Sequence, residues 1–283
     1  MRPAGHSKRR RFRWEIDSSK LPAMKTILRV FGAIVLLCLV ALAALKWGTA
    51  PLDWRQSFAG EACCVDITHA GGLLDGAAYT NSLEALDQNY RSGRRIFEVD
   101  LALTADGAIV LAHDWEAYGG AAPDRTAFLA GGDLTRLDFK AFVAWIAGTC
   151  ADCRIVTDVK FDFWRFWDAY RATVPAAMQE AQFVLQTYDF ATAHAMAARA
   201  PRQPQILTLY LLESVTTEDF TALAPLNSLL AVTMPLDRVP FLAGAARATA
   251  GKPVFAHGYP WTMRSDLILR LARAFGVTGF YKD

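Results

Sequence analysis

The chain has no low-complexity tract, no internal repeat and no long polar stretch, which excludes a disordered, solenoid or fibrous protein. Charge is sparse at 20% and almost balanced, with a formal net of +2. The positive excess is confined to the start. Eight Lys/Arg against Glu15 and Asp17 give residues 1–25 a net +6, so the remainder carries −4. A nucleic-acid partner would require a basic folded face, and the sequence offers none. Cysteine is scarce as well. The five cysteines include one CxxC, Cys150 to Cys153, where a zinc site normally needs a second pair. A structural disulfide outside the cytoplasm fits better, with the pairing open among Cys63, Cys64, Cys150 and Cys153. Cys38 lies in an apolar run and reads as inert.

What is abundant is apolar. At 283 residues and 53% hydrophobic content the chain can bury a large core. One apolar run is long: Thr26 to Trp47, interrupted only by Arg29 and Lys46 near its ends. At about 1.5 Å per residue it can cross a hydrocarbon layer of roughly 30 Å. The terminal cations can snorkel and Trp47 suits an interface. The basic leader favours an N-terminus held in the cytoplasm. The expected organisation is a basic cytoplasmic tail (1–25), a transmembrane helix (26–47), a linker (48–60) and a folded domain (61–283). The protein is then a single-pass inner-membrane protein with its catalytic domain on the periplasmic side. A signal peptide read from Met24 is the alternative, although the apolar run exceeds the usual h-region and a 23-residue basic leader is unusual for one.

Beyond the linker, short runs rich in β-branched and aromatic residues alternate with amphipathic stretches. The pattern predicts strands at Cys63–Thr68, Ile96–Asp100, Arg154–Lys160, Gln182–Tyr188, Gln205–Leu211, Leu229–Met234, Pro253–His257 and Gly279–Asp283. Helices are predicted in "NSLEALDQNYRSG" and in "SDLILRLARAFG", the latter capped by Ser265 and stopped at Gly276. Eight strands alternating with helices predict a (β/α)₈ TIM barrel. A ninth run, "AIVLAHD" at 108–114, follows Ala105-Asp106-Gly107, a hairpin signal. It is predicted to be a return arm that brings His113 back to the level of Asp100. "FDFWRFWDAY", 161–170, has two readings: a helix with an aromatic core face, or a lipid-facing lip.

Chemistry collects at the predicted C-terminal strand ends, where such barrels carry their reactive groups. These ends hold His69, Glu98, Asp100, Asp158, Lys160, His257, Lys282 and Asp283, with His113 on the return arm. Glu98 and Asp100 are two apart and share a face, as do Asp158 and Lys160. Acids inside an apolar barrel need a cation or a partner. A Lys160 salt bridge would satisfy one. Three carboxylates suit a hard divalent cation, Mg²⁺ or Ca²⁺, better than zinc.

Taken together, "HAGG", "TNSLEAL", "FEVD", "ADG" and "AHD", with "IVTDVKF", "FVLQTYDF" and "GVTGFYKD" further on, resemble the signature of the glycerophosphodiester phosphodiesterase family, within the phosphatidylinositol phospholipase C-like phosphodiesterase superfamily. The resemblance runs from about residue 62 to 283. It implies metal-assisted phosphodiester cleavage. Glu98, Asp100 and Asp158 would hold the cation, and His69 and His113 would divide general acid and base work. Lys160, His257 and Tyr259 would contact a glycerophosphodiester, lysolipid or glycan phosphodiester. Three positions depart from the family pattern: Ala70 stands where it has Arg, Thr80 where it has Glu before Asn81, and Asp158 where it has Glu. Related outcomes on the same barrel are a phospholipase-D-like lyase, a phosphodiester-forming transferase, or a degenerate binder of a phosphorylated envelope polymer.

Overall fold

The computed structural model describes residues 65–258 and 266–282. The basic tail, the 26–47 span, the linker, Cys38, Cys63, Cys64, Tyr259, Ser265 and Asp283 lie outside the described residues. Among the described residues no helix is long and apolar enough to cross a membrane.

Nine strands form one sheet: β1 Val65–Thr68, β2 Ile96–Leu103, β3 Ile109–Leu111, β4 Arg154–Val159, β5 Phe183–Thr187, β6 Gln205–Thr208, β7 Leu229–Pro235, β8 Val254–His257 and β9 Val277–Lys282. Eight are parallel neighbours, and β1 pairs with both β9 and β2, so the sheet closes into a barrel. The strands are mostly apolar because both faces are covered; seven of the eight residues of β2 are buried, Glu98 and Asp100 among them. The eight predicted barrel strands are all present, within two or three residues of the predicted ends. The ninth run is β3, antiparallel to β2, as the hairpin signal predicts.

The hairpin register differs from the sequence expectation by one residue. Leu101 pairs with Leu111, and the Ala112 amide donates to the Asp100 carbonyl. The chain reverses about Asp106 rather than about the Asp106–Gly107 bond. The Thr104 amide bonds the Ala108 carbonyl across a three-residue tip, and Gly107 supplies φ 81°. Ala112, not His113, therefore returns opposite Asp100.

Helices cover the outside of the barrel. Most of those between strands begin with an oxygen-bearing cap. Ser82, Asp124, Asp138, Asp162, Asp189 and Thr216 each accept a first-turn amide, at the starts of α1 Leu83–Arg91, α2 Arg125–Ala130, α3 Phe139–Thr149, α4 Phe163–Thr173, α6 Phe190–Arg199 and α7 Thr217–Leu223. The remaining α-helices among the described residues are α5 Ala176–Gln182, α8 Val239–Ala245 and α9 Asp266–Ala274. The aromatic stretch forms α4 and faces inward: Phe163, Phe166, Trp167 and Tyr170 are buried in the outer core. Of its two readings, the core face is the one the fold adopts. Cys150 and Cys153 are buried and disulfide-bonded between α3 and β4.

Inside the barrel the layers change character with height. Val65, Ile67, Ile96, Val156, Val184, Ile206, Ala231 and Phe255 form an apolar plug. Gly279 makes room for it, since a Cβ there would lie 2.4 Å from Phe255 Cδ1. Above the plug, at the C-terminal ends, the inward positions turn polar. That mouth is where the predicted chemistry lies.

Candidate active site

The β2–β4 register sets Asp100 beside Asp158, with Glu98 two residues earlier on β2. One carboxylate oxygen from each of Glu98, Asp100 and Asp158 lies within 4.8 Å of the others, and all three residues are buried. Their outer oxygens are held in place. Asn81 Nδ2 donates to Asp100 Oδ2 at 2.9 Å, and its Oδ1 accepts the Asp100 amide. The Tyr188 hydroxyl donates to Asp158 Oδ1 and accepts the Val159 amide at 2.7 Å. The Ala70 amide donates to Glu98 Oε2 at 2.7 Å. Lys160 Nζ bridges the other two acids, 2.9 Å from Asp100 Oδ1 and 2.7 Å from Asp158 Oδ2. The lysine thus pairs with two of the three acids.

One atom is left over. Glu98 Oε1 is buried with no hydrogen-bond partner among the described residues. Burial first, then the charges of Asp100 and Asp158, push the Glu98 carboxyl well above its ordinary range, against the opposing pull of His69 and the Ala70 amide. Burial alone would lower the Lys160 ammonium, but Asp100 and Asp158 outweigh it and hold it well above its usual value. Three carboxylates and one ammonium leave two net negative charges if all are ionised. An orphaned carboxylate oxygen and a net charge of two fit a hard divalent cation held by Glu98, Asp100 and Asp158.

The glycines after His69 shape the rim. Gly72, at φ 94°, turns where a Cβ would lie 2.4 Å from Asn89 Nδ2. That amide bonds the carbonyls of Gly71 and Leu73. Ala70, Asp75, Tyr79 and Asn81 all have φ near 50–60°, and they are the non-glycine residues of positive φ among the described residues. The unfavourable backbone is thus concentrated in one loop over the mouth, a common place for it at functional sites.

A cavity of about 250 Å³ brings together His69, Glu98, His113, Asp158, Lys160 and His257. His69 Nε2 lies 3.8 Å from Glu98 Oε2. His113 Nδ1 lies 2.8 Å from Asp114 Oδ2, which fixes the ring and leaves Nε2 for the cavity. His257 sits 3.4 Å from the Thr208 hydroxyl. Burial, with a smaller push from His69, lowers its pKa to about 4, so at neutral pH it offers hydrogen bonds rather than charge. Lys282 does not join the site; it pairs with Asp66 at 2.7 Å.

Sequence reasoning missed a ring of tyrosines. Tyr79 stands between the histidines, its ring edge-on to His69 at 4.8 Å and to His113 at 4.7 Å. The arc continues from His69 to Tyr281 at 6.4 Å, on to His257 and Tyr210, and then to Tyr188. Tyr281 also crosses the barrel to bond Gln186 Oε1 at 3.0 Å. Strand parity could have found Tyr281, two residues on from Gly279, which faces Phe255 inside the barrel. Tyr79 gave no periodic signal, because it lies in an irregular loop.

In comparison by sequence, no family model and no curated protein matches the chain. By structure the fold is shared with glycerophosphodiester phosphodiesterases. A Galdieria sulphuraria protein assigned as one superposes with a TM-score of 0.63 at 18% identity, over 79% of this chain and 95% of that one. The glycerophosphodiester phosphodiesterase of Thermotoga maritima gives 0.58 at 17% identity, over 78% of this chain and 95% of its own. A phosphodiesterase of Oleispira antarctica, solved with the product sn-glycerol-3-phosphate, gives 0.58 at 13% identity, over 78% and 93%. Identities this low establish the shared barrel fold.

Proposed function

We propose that the chain is a metal-dependent phosphoric diester hydrolase acting on glycerophosphodiester-like, lysolipid or glycan phosphodiesters. The observation that carries this is the buried Glu98, Asp100 and Asp158 triad at the same mouth as His69 and His113. The barrel fold shared with glycerophosphodiester phosphodiesterases supports it.

Mg²⁺ or Ca²⁺ bound by the triad would supply positive charge to a non-bridging phosphoryl oxygen. The protein's own groups do the rest. His69 and His113 divide the proton transfers. One takes a proton from the attacking water as its oxygen bonds phosphorus; the other gives a proton to the alcohol oxygen as its bond to phosphorus breaks. Asp114 keeps His113 in the tautomer that presents Nε2. Lys160 adds charge as the pentacoordinate state develops. His257 and Tyr259 orient the substrate by hydrogen bonds.

Phosphorus NMR of the full-length protein with a panel of phosphodiesters tests this reading. A phosphomonoester product that requires added Mg²⁺ or Ca²⁺ is the expected result. A cyclic phosphate would identify a lyase and a new diester a transferase. Binding without turnover would reduce the chain to a binder of phosphorylated polymer.

The proposal includes a membrane anchor at 26–47 with the barrel on the periplasmic side, supported by the basic leader before that apolar run. A phosphatase reporter fused after Asp283 should be active outside the cytoplasm. A silent reporter on a well-expressed fusion would reverse the orientation.

A further inference from the structure

Beyond Tyr79 and His113 the mouth continues into a second cavity of about 370 Å³. These two residues line both spaces, whereas Tyr118, Leu134 and Arg136 line only the second. Between them the cavities contain two permanently cationic side chains, Lys160 and Arg136. Lys160 is held by Asp100 and Asp158. Arg136 is held differently. It is half-buried, its guanidinium lies 5.0 Å from the ring centres of both Tyr118 and Phe128, and it donates to the Tyr118 hydroxyl. These contacts occupy one of its five donors and fix the plane of the fork. No carboxylate among the described residues forms an ion pair with it.

The acids in the same cavity do not cancel this charge. Asp114 is engaged by His113 Nδ1 and by the Glu116 amide. Asp133 is solvent-exposed, where its field is screened. A guanidinium fixed by two rings and free of carboxylate partners is pre-oriented for a phosphate or carboxylate.

The geometry points to a second substrate subsite. The phosphodiester spans the Tyr79–His113 boundary, and the half in the larger cavity carries its own anionic group, read by Arg136. The substrate class is then a phosphodiester one of whose alcohols bears a further phosphate or carboxylate, as in a chain of polyol phosphates. This rests on the hydrolase reading above and narrows it.

The test uses a matched pair of diesters, glycerophosphopropanol and the same compound with a phosphate on the far end of the propyl group. The full-length protein should favour the phosphorylated one in kcat/KM by at least about tenfold, as expected for a charge-assisted hydrogen bond. Arg136→Gln should bring the ratio near one, and Arg136→Lys should keep part of it. Each ratio is taken within one sample, so incomplete folding of a variant cancels. A wild-type ratio at or below one, an unchanged ratio in Arg136→Gln, or a preference for glycerophosphocholine over both diesters would overturn the subsite. Equal cleavage of the pair removes the subsite alone. Cleavage of neither removes the hydrolase reading and the subsite with it.

Discussion

His69→Ala and His113→Ala are each expected to lower kcat by at least about 10²-fold with the melting temperature nearly unchanged. The structure supports both halves of this expectation. Neither ring is packed as core: the side chains are 23% and 39% exposed, and both face the cavity that holds the acid triad. Removing them opens no large internal void, so the stability cost should be small. Their shared neighbour Tyr79 ties the two rings into one arrangement. The double variant should therefore be much less than multiplicatively worse than the singles, as for residues that act as a unit. Turnover and melting temperature are to be measured on the same samples. Retained turnover per folded molecule alongside a lowered melting temperature would return the histidines to a packing role and remove the acid–base scheme.

The barrel was legible because buried parallel strands and capped helices each leave a local mark. The runs from Ile96, Arg154 and Phe183 are mostly apolar and rich in β-branched and aromatic residues, and Ser, Thr or Asp stands at six helix starts. The acid triad was legible for a related reason. Residues two apart on a strand share a face, so Glu98 with Asp100, and Asp158 with Lys160, had to point the same way. The β2–β4 register that sets Asp100 against Asp158 joins residues 58 apart and carries no local signature. Turn chemistry identified the return arm but missed its register by one, because Asp-Gly is compatible with both two- and three-residue tips. The tyrosine arc was invisible for the opposite reason: Tyr79, Tyr188, Tyr210 and Tyr281 come from different loops and strands, and only closure of the barrel brings them together. Lys160 was placed at the mouth correctly. Its bond to two acids at once depends on the spacing of adjacent strands, a property of the closed sheet.

Glu98→Gln should separate catalysis from folding most sharply. Glu98 is 1% exposed, one of its oxygens has no hydrogen-bond partner among the described residues, and the charges of Asp100 and Asp158 lie beside it. Without a bound cation, this carboxylate costs the fold stability, because its desolvation is not repaid by any pairing at Oε1. Glutamine has the same shape and can still accept the Ala70 amide while removing the charge. In chelator, Glu98→Gln should therefore melt at the wild-type temperature or above. Adding Mg²⁺ or Ca²⁺ reverses the order. A cation bound only by the folded wild type stabilises it by about 2.7 kcal/mol at a hundredfold excess over Kd. Glu98→Gln, lacking one ligand charge, should gain little. Activity should fall by about 10³-fold or more, the loss corresponding to several kcal/mol of transition-state charge stabilisation. Melting curves with and without the ion, alongside turnover, read both effects on the same protein. Full activity of Glu98→Gln in chelator would show that the triad is no metal site. A lower melting temperature in chelator would show instead that Glu98 stabilises the barrel as a charge, leaving no reason to place a cation beside it.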